Sequence, residues 1–71
     1  MDIPRFRALL ALHSETIKDI AELIGLSPSS VYRKIDGTDG EFTQSEISKI
    51  KNHYNLSPED VDNIFFAQKV S

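Results

Sequence analysis

Apolar residues in this chain recur at helical spacing, separated by short polar stretches rich in residues that start or stop helices. Phe6, Leu9, Leu10 and His13 fall at i, i+3, i+4 and i+7, one face of a helix that opens at Asp2-Ile3-Pro4 and runs to about His13. Asp2 is placed to cap that helix, and Pro4 falls in the first turn, where a missing N–H costs little. Thr16 marks a second start. Ile17, Ile20, Ala21 and Ile24 then repeat the spacing, and Gly25 ends the run as a left-handed cap does. Ser27-Pro28 opens a third helix, with Val31 and Ile35 on its inner side and Asp36-Gly37 at its close. Residues 36–41, Asp-Gly-Thr-Asp-Gly-Glu, are the longest turn-forming stretch and predict a loop. Thr43-Gln44-Ser45-Glu46 has the form of a capping box, in which Thr43 and Glu46 satisfy each other's backbone donors. Ile47, Ile50 and Tyr54 follow in a fourth helix ending near Asn55. Ser57-Pro58-Glu59-Asp60 starts a short fifth, with Val61, Ile64 and Phe65 facing inward.

Five helices joined by short connections predict an all-α fold, a compact five-helix bundle forming one domain over residues 1–71. The predicted core is Phe6, Leu9, Leu10, Ile20, Ala21, Ile24, Leu26, Val31, Ile35, Phe42, Ile47, Ile50, Leu56, Val61, Ile64 and Phe65. No stretch before residue 65 alternates with period two. Residues 66–71 fit either the fraying end of the last helix or a short strand. Phe66 and Val70 share a side in both cases, and two readings stand for them: folding back over the first helix, or a contact with a dimer mate or other partner.

Composition narrows the function. Hydrophobic residues at 39% and charged residues at 27% describe a soluble globular domain rather than a disordered tail. The absence of cysteine excludes disulfides and thiolate metal sites, and suits a reducing cytoplasm. Asp2, Pro4, Arg5 and Arg7 interrupt the N-terminus, so no signal peptide is expected there. No apolar run approaches the ~20 residues a membrane helix needs, so no membrane partner is expected. His13 and His53 have no companion ligands at metal-binding spacing and are expected at helix ends. Neither a metal site nor a cofactor is expected. Glu59, Asp60 and Asp62 are read as charges favoured near a helix N-terminus rather than a paired-carboxylate site. With no phosphate-binding glycine loop and little room for a pocket, neither an enzyme nor a small-molecule substrate is expected.

The informative stretch runs from Thr16 to Ile35. Two short helices flank Gly25-Leu26-Ser27, with small Ala21 at the close approach and Gly25 tolerant of positive φ at the turn. Apolar Ile20, Ile24, Leu26, Val31 and Ile35 are spaced to lock the angle. This is the helix-turn-helix pattern, whose second helix projects toward a DNA groove.

On Thr16, Ile20-Ala21, Gly25-Leu26-Ser27, Val31 and Asp36-Gly37, residues 16–37 resemble the Cro/repressor-type (lambda-repressor-like) helix-turn-helix family of phage and bacterial regulators. Phe42 to Ile47, Leu56-Ser57 and Ile64 to Val70 are similar to short phage proteins of the lysis/lysogeny switch, among them Cro-like repressors and modulator-of-repression antirepressors. The resemblance implies a transcription regulator in the cytoplasm of a bacterial host. It places the binding surface on Ser27, Pro28, Ser29, Tyr32, Arg33 and Asp36, with Ile17 and Lys18 at the start of the second helix. Spacing independently turns Ser29, Tyr32, Arg33 and Asp36 outward, because Val31 and Ile35 face in. Arg33 suits a guanine edge, Tyr32 a thymine methyl or a phosphate, and serine hydroxyls and helix amides suit phosphate oxygens. Arg33 and Lys34, with Lys18 nearby, make up the basic cluster of this region.

Two departures complicate a DNA reading. Many members of the family carry a glutamine after the cap of the second helix and a long polar side chain after the cap of the third. This chain has Ile17 and Pro28, which expose apolar surface beside Tyr32. Its net charge of −3 and pI near 5.2 also lack the bulk basicity typical of nucleic-acid binders. Two partners therefore stand: operator DNA, bound as a homodimer on half-sites about 34 Å apart, or a cognate phage repressor whose DNA binding the same helix blocks.

Overall fold

The computed structural model describes residues 1–38 and 40–66, and every regular element among them is a helix. These are α1 (Ile3–Leu12), α2 (Ile17–Ile24), α3 (Pro28–Asp36), α4 (Gln44–Tyr54) and α5 (Pro58–Phe65). The sequence rules that start them are all visible. Asp2, Thr16, Ser27, Thr43 and Ser57 each accept a hydrogen bond from the backbone N–H three residues on, an arrangement worth about 1 kcal/mol per helix. Thr43 and Glu46 form the expected reciprocal box. Thr16 with Asp19 and Ser57 with Asp60 form two more, built with aspartate in place of the usual glutamate or glutamine.

The ends follow chemistry equally local. Gly25 and Gly37 close α2 and α3 at φ of +76° and +78°, where a side chain would be strained. Asn55 closes α4 at +54°. The first helix stops differently. His13 lies past its last residue, bonding through its N–H to the carbonyls of Leu9 and Leu10. It therefore does not continue the Phe6–Leu9–Leu10 face as its spacing predicts. It is exposed, and its ring rests on Tyr54 at 4.6 Å between centroids.

Helix α2 packs on α3 and α4, α1 on α5, and α4 on α5. Phe6, Ile20, Val31 and Ile50, the largest fully buried side chains, come one each from the first four helices. Phe6, Phe42 and Phe65 form a triangle of rings with centroids 6.0, 6.0 and 5.9 Å apart, spacings at which aromatic pairs attract. The amide of Asp2 donates to the carbonyl of Ile64 at 2.8 Å and ties the start of α1 to α5. The predicted core is correct in most of its members. Leu26, Ile35 and Leu56 are packed against it but only partly buried, because each sits in a turn or at a helix end. Tyr54 is an addition, buried on the inner side of α4 with Ile47 and Ile50.

Candidate recognition surface

The surface is built on the turn between α2 and α3. Ala21 is almost fully buried, and its carbonyl accepts from the amide of Leu26 at 2.9 Å, closing the turn around Gly25. Ser27 then caps α3. Its hydroxyl accepts from the Ser30 amide at 3.2 Å and donates to the Ser30 hydroxyl at 3.0 Å. That hydroxyl thus holds the start of α3, while Ser27 itself remains exposed. Pro28 occupies the first helical position.

One face of α3 seals the molecule and the other faces solvent. Val31 is fully buried and Ile35 half-buried, whereas Pro28, Ser29, Tyr32, Arg33 and Asp36 are exposed, Tyr32 at 51%. The Arg33 guanidinium reaches back to the Ser30 hydroxyl at 3.3 Å. Lys18 is exposed at the start of α2. The residues expected to meet a partner therefore lie on exposed surface of one helix and the start of its neighbour.

Two expectations need correction. Ile17 does not stand out in solvent; it is half-buried and packs against the core. With Tyr32, Ile35, Leu10 and Ala11 it lines a shallow groove between α1 and α3, flanked by Arg7 and Glu15. Lys34 leaves the basic cluster altogether. Its ammonium pairs with Glu46 at 3.3 Å and donates to the Glu41 carbonyl at 3.2 Å, with the two paired side chains 14% and 13% exposed. Burial alone would push the Glu46 carboxyl up. The Thr43 amide, the Lys34 ammonium and the Thr43 hydroxyl outweigh it and hold Glu46 below its usual value. Positive charge on the outer face thus comes from Arg33 and Lys18.

Phe66 is 55% exposed and borders a small cavity with Met1, Phe42 and Phe65. Val70, its expected companion, lies outside the described residues. Asp60 serves the capping box of α5, with Glu59 beside it in the first turn. The sequence reading did not foresee the cluster around Tyr54. His13 and His53 both pack on its ring, at 4.6 and 4.7 Å, and His53 Nε2 lies 2.9 Å from Glu15 Oε1. The Tyr54 hydroxyl is buried without a hydrogen-bond partner. Its pKa is pushed up to about 12, first by burial and then by Glu15, whose carboxylate lies near enough to act on the hydroxyl without meeting hydrogen-bond geometry, with the charge of Asp19 adding to it. No spacing rule links these residues, which come from two segments nearly forty positions apart, the turn after α1 and the end of α4.

Among the described residues no helix is long and apolar enough to cross a membrane. Comparison with protein-family models, curated proteins and solved structures finds no match.

Proposed function

We propose that this chain is a small helix-turn-helix transcription regulator of the kind found in phage lysis/lysogeny switches, binding operator DNA through α3. The observation that carries the reading is the division of α3 into a sealed Val31 side and an exposed side bearing Ser29, Tyr32, Arg33 and Asp36. A short helix capped at both ends and polar on its free side is what entry into a major groove requires. In this reading Arg33 reads a guanine edge, Tyr32 packs on a thymine methyl, and Lys18 with Ser29 holds phosphates. With two cations on that face, each copy neutralises few phosphates. Affinity per copy is modest, and each phosphate contact contributes a log–log salt slope of about −0.9.

Selection from random duplexes with the protein alone tests this. An enriched motif is expected, with binding that weakens as salt rises and is lost in Arg33→Ala while the fold is kept. Absence of enrichment at low salt refutes it.

A second reading is favoured by the apolar groove at Ile17 and Tyr32 and by the withdrawal of Lys34. Here the protein is an antirepressor, docking the same face on a phage repressor and blocking its DNA binding. Size-exclusion chromatography with a cognate repressor separates the two. A heterocomplex formed without DNA and lost in Tyr32→Ala supports the second reading.

A further inference from the structure

Glu15, in the turn between α1 and α2, serves two neighbourhoods. With Arg7 it borders the groove that Ile17 and Tyr32 line on the recognition surface. Its carboxylate also accepts from His53 in the last turn of α4, with Nε2 2.9 Å from Oε1. Among the described residues His53 is the ion-pair partner of Glu15, and no lysine or arginine comes within pairing distance of it. An ionised carboxylate can only accept, so the hydrogen of that bond sits on Nε2, and the second ring nitrogen is left to take up a proton. Protonation therefore adds a positive charge without requiring the pair to move. The imidazole is 41% exposed, open to exchange with water, while the Glu15 side chain is more sheltered at 26%.

We infer that His53, acting through Glu15, sets the charge of the recognition surface, so that DNA binds more tightly once the imidazole is protonated; this rests on the DNA reading of α3. With His53 neutral, the groove beside Tyr32 carries the full negative charge of Glu15, which repels phosphate. With His53 protonated, the pair is neutral, and Arg7, Lys18 and Arg33 act unopposed by it. Histidine is the side chain that makes such a change between about pH 5 and 8. The other charged or titratable groups around the ring come from three elements. Asp19 of α2 is held by the amide and hydroxyl of Thr16, and Lys49 stands one turn earlier on α4. Aspartate and lysine side chains ordinarily titrate outside that interval, and the Tyr54 phenol, pushed up to about 12, stays neutral through it. His13 is the group to separate from His53. It packs on the same Tyr54 ring, but it lines a surface with Arg5 and Asp60 to which α3 contributes no residue, and no hydrogen bond joins it to Glu15.

Two measurements at fixed ionic strength provide the test, with circular dichroism to verify that each variant folds. In the free protein, paramagnetic relaxation by nitroxide probes of positive and of negative charge reads the potential at the amides of Thr16, Ile17 and Tyr32. That potential is expected to turn more positive from about pH 8 to about pH 6 in the wild-type chain. It is expected to stay unchanged in His53→Gln, which keeps an N–H for Glu15, and to shift as in the wild type in His13→Gln. Anisotropy titration of the enriched duplex gives the second readout. Wild-type affinity is expected to rise about threefold over the same interval, the effect of one unit charge at about 7 Å in water, and His53→Gln to lose that gain. Glu15→Gln is expected to bind at the higher pH as tightly as the wild type does at the lower. A potential that shifts equally in His53→Gln overturns the inference. So does a pH response of binding that survives this substitution, or a Glu15→Gln chain that binds no more tightly at the higher pH. If no duplex binds at either pH, the DNA reading fails, and the potential in the free protein still decides whether His53 controls the surface.

Discussion

Helices α1 and α3 are nearly equal in length and are held in place by different means. Helix α1 buries Phe6, Leu9 and Leu10, and Phe6 joins a three-ring cluster with Phe42 and Phe65. Helix α3 fully buries only Val31. Its position is fixed largely at its ends, by the Ser27 cap, by left-handed Gly37, and by Lys34 gripping Glu46 and the Glu41 carbonyl. A helix that offers most of its surface to a partner cannot also be anchored by burying that surface. Polar bonds at its termini fix its direction without consuming its outer face. The contrast is between attachment by area, which is non-directional, and attachment by geometry.

The largest effect that tests this contrast falls on the α1 side. Phe6→Ala removes a fully buried ring from the triangle and leaves a cavity between α1, Phe42 and α5. A loss of about 3–5 kcal/mol is expected, a large share of the total stability of so small a domain. Urea unfolding followed by circular dichroism measures it. A loss below about 1 kcal/mol would mean that burial does not dominate on this side.

The α3 side answers to charge instead. Lys34→Met strands the Glu46 carboxylate in a half-buried site, and a loss of about 1–3 kcal/mol is expected. The same pair sets a pH dependence. Glu46 is held below its ordinary value of 4.5 in the folded chain. The stability it contributes is therefore fully present above that value and is lost as pH falls through the lowered folded pKa. Thermal melts on the acid side should show this decline, and Glu46→Gln should flatten part of it. Identical acid profiles for the two proteins would show that geometry at this end of α3 does not depend on the pair.

What could be read from the chain and what could not divide along the same line. Helix starts, helix stops and inward faces rest on residues within four positions of one another, so Ser27-Pro28, Gly37, and the Val31 and Ile35 spacing locate α3 and its outer face without coordinates. The partner of Lys34 lies across the 37–43 loop on another helix. Nothing local separates a lysine that folds inward from its exposed neighbour Arg33. Ile17 is half-buried for a related reason: its exposure depends on how close α1 passes, which the spacing of α2 does not encode. The Tyr54 cluster joins residues 13–15 to residues 53 and 54 only through the packing of α4 against the turn after α1.

Tyr54 offers the smallest and most discriminating measurement, because it places an unpaired polar atom on the side held by burial. Its hydroxyl is enclosed without a hydrogen-bond partner, while its ring supports His13 and His53. Tyr54→Phe keeps the ring contacts and removes the unsatisfied group, so a gain of up to about 1 kcal/mol is expected at neutral pH. The sign of the pH effect is opposite to that of Glu46. Burial raises the folded phenol from 10.0 to about 12, so above the lower value the unfolded chain sheds a proton that the folded chain keeps. Wild-type stability falls as pH climbs through that interval, and the phenylalanine variant lacks this contribution. Lysines titrate there in both proteins and cancel in the difference. The advantage of the variant should therefore widen between the two values. A constant difference would mean that the hydroxyl reaches water, and a loss at neutral pH would mean that it has a bonding partner after all.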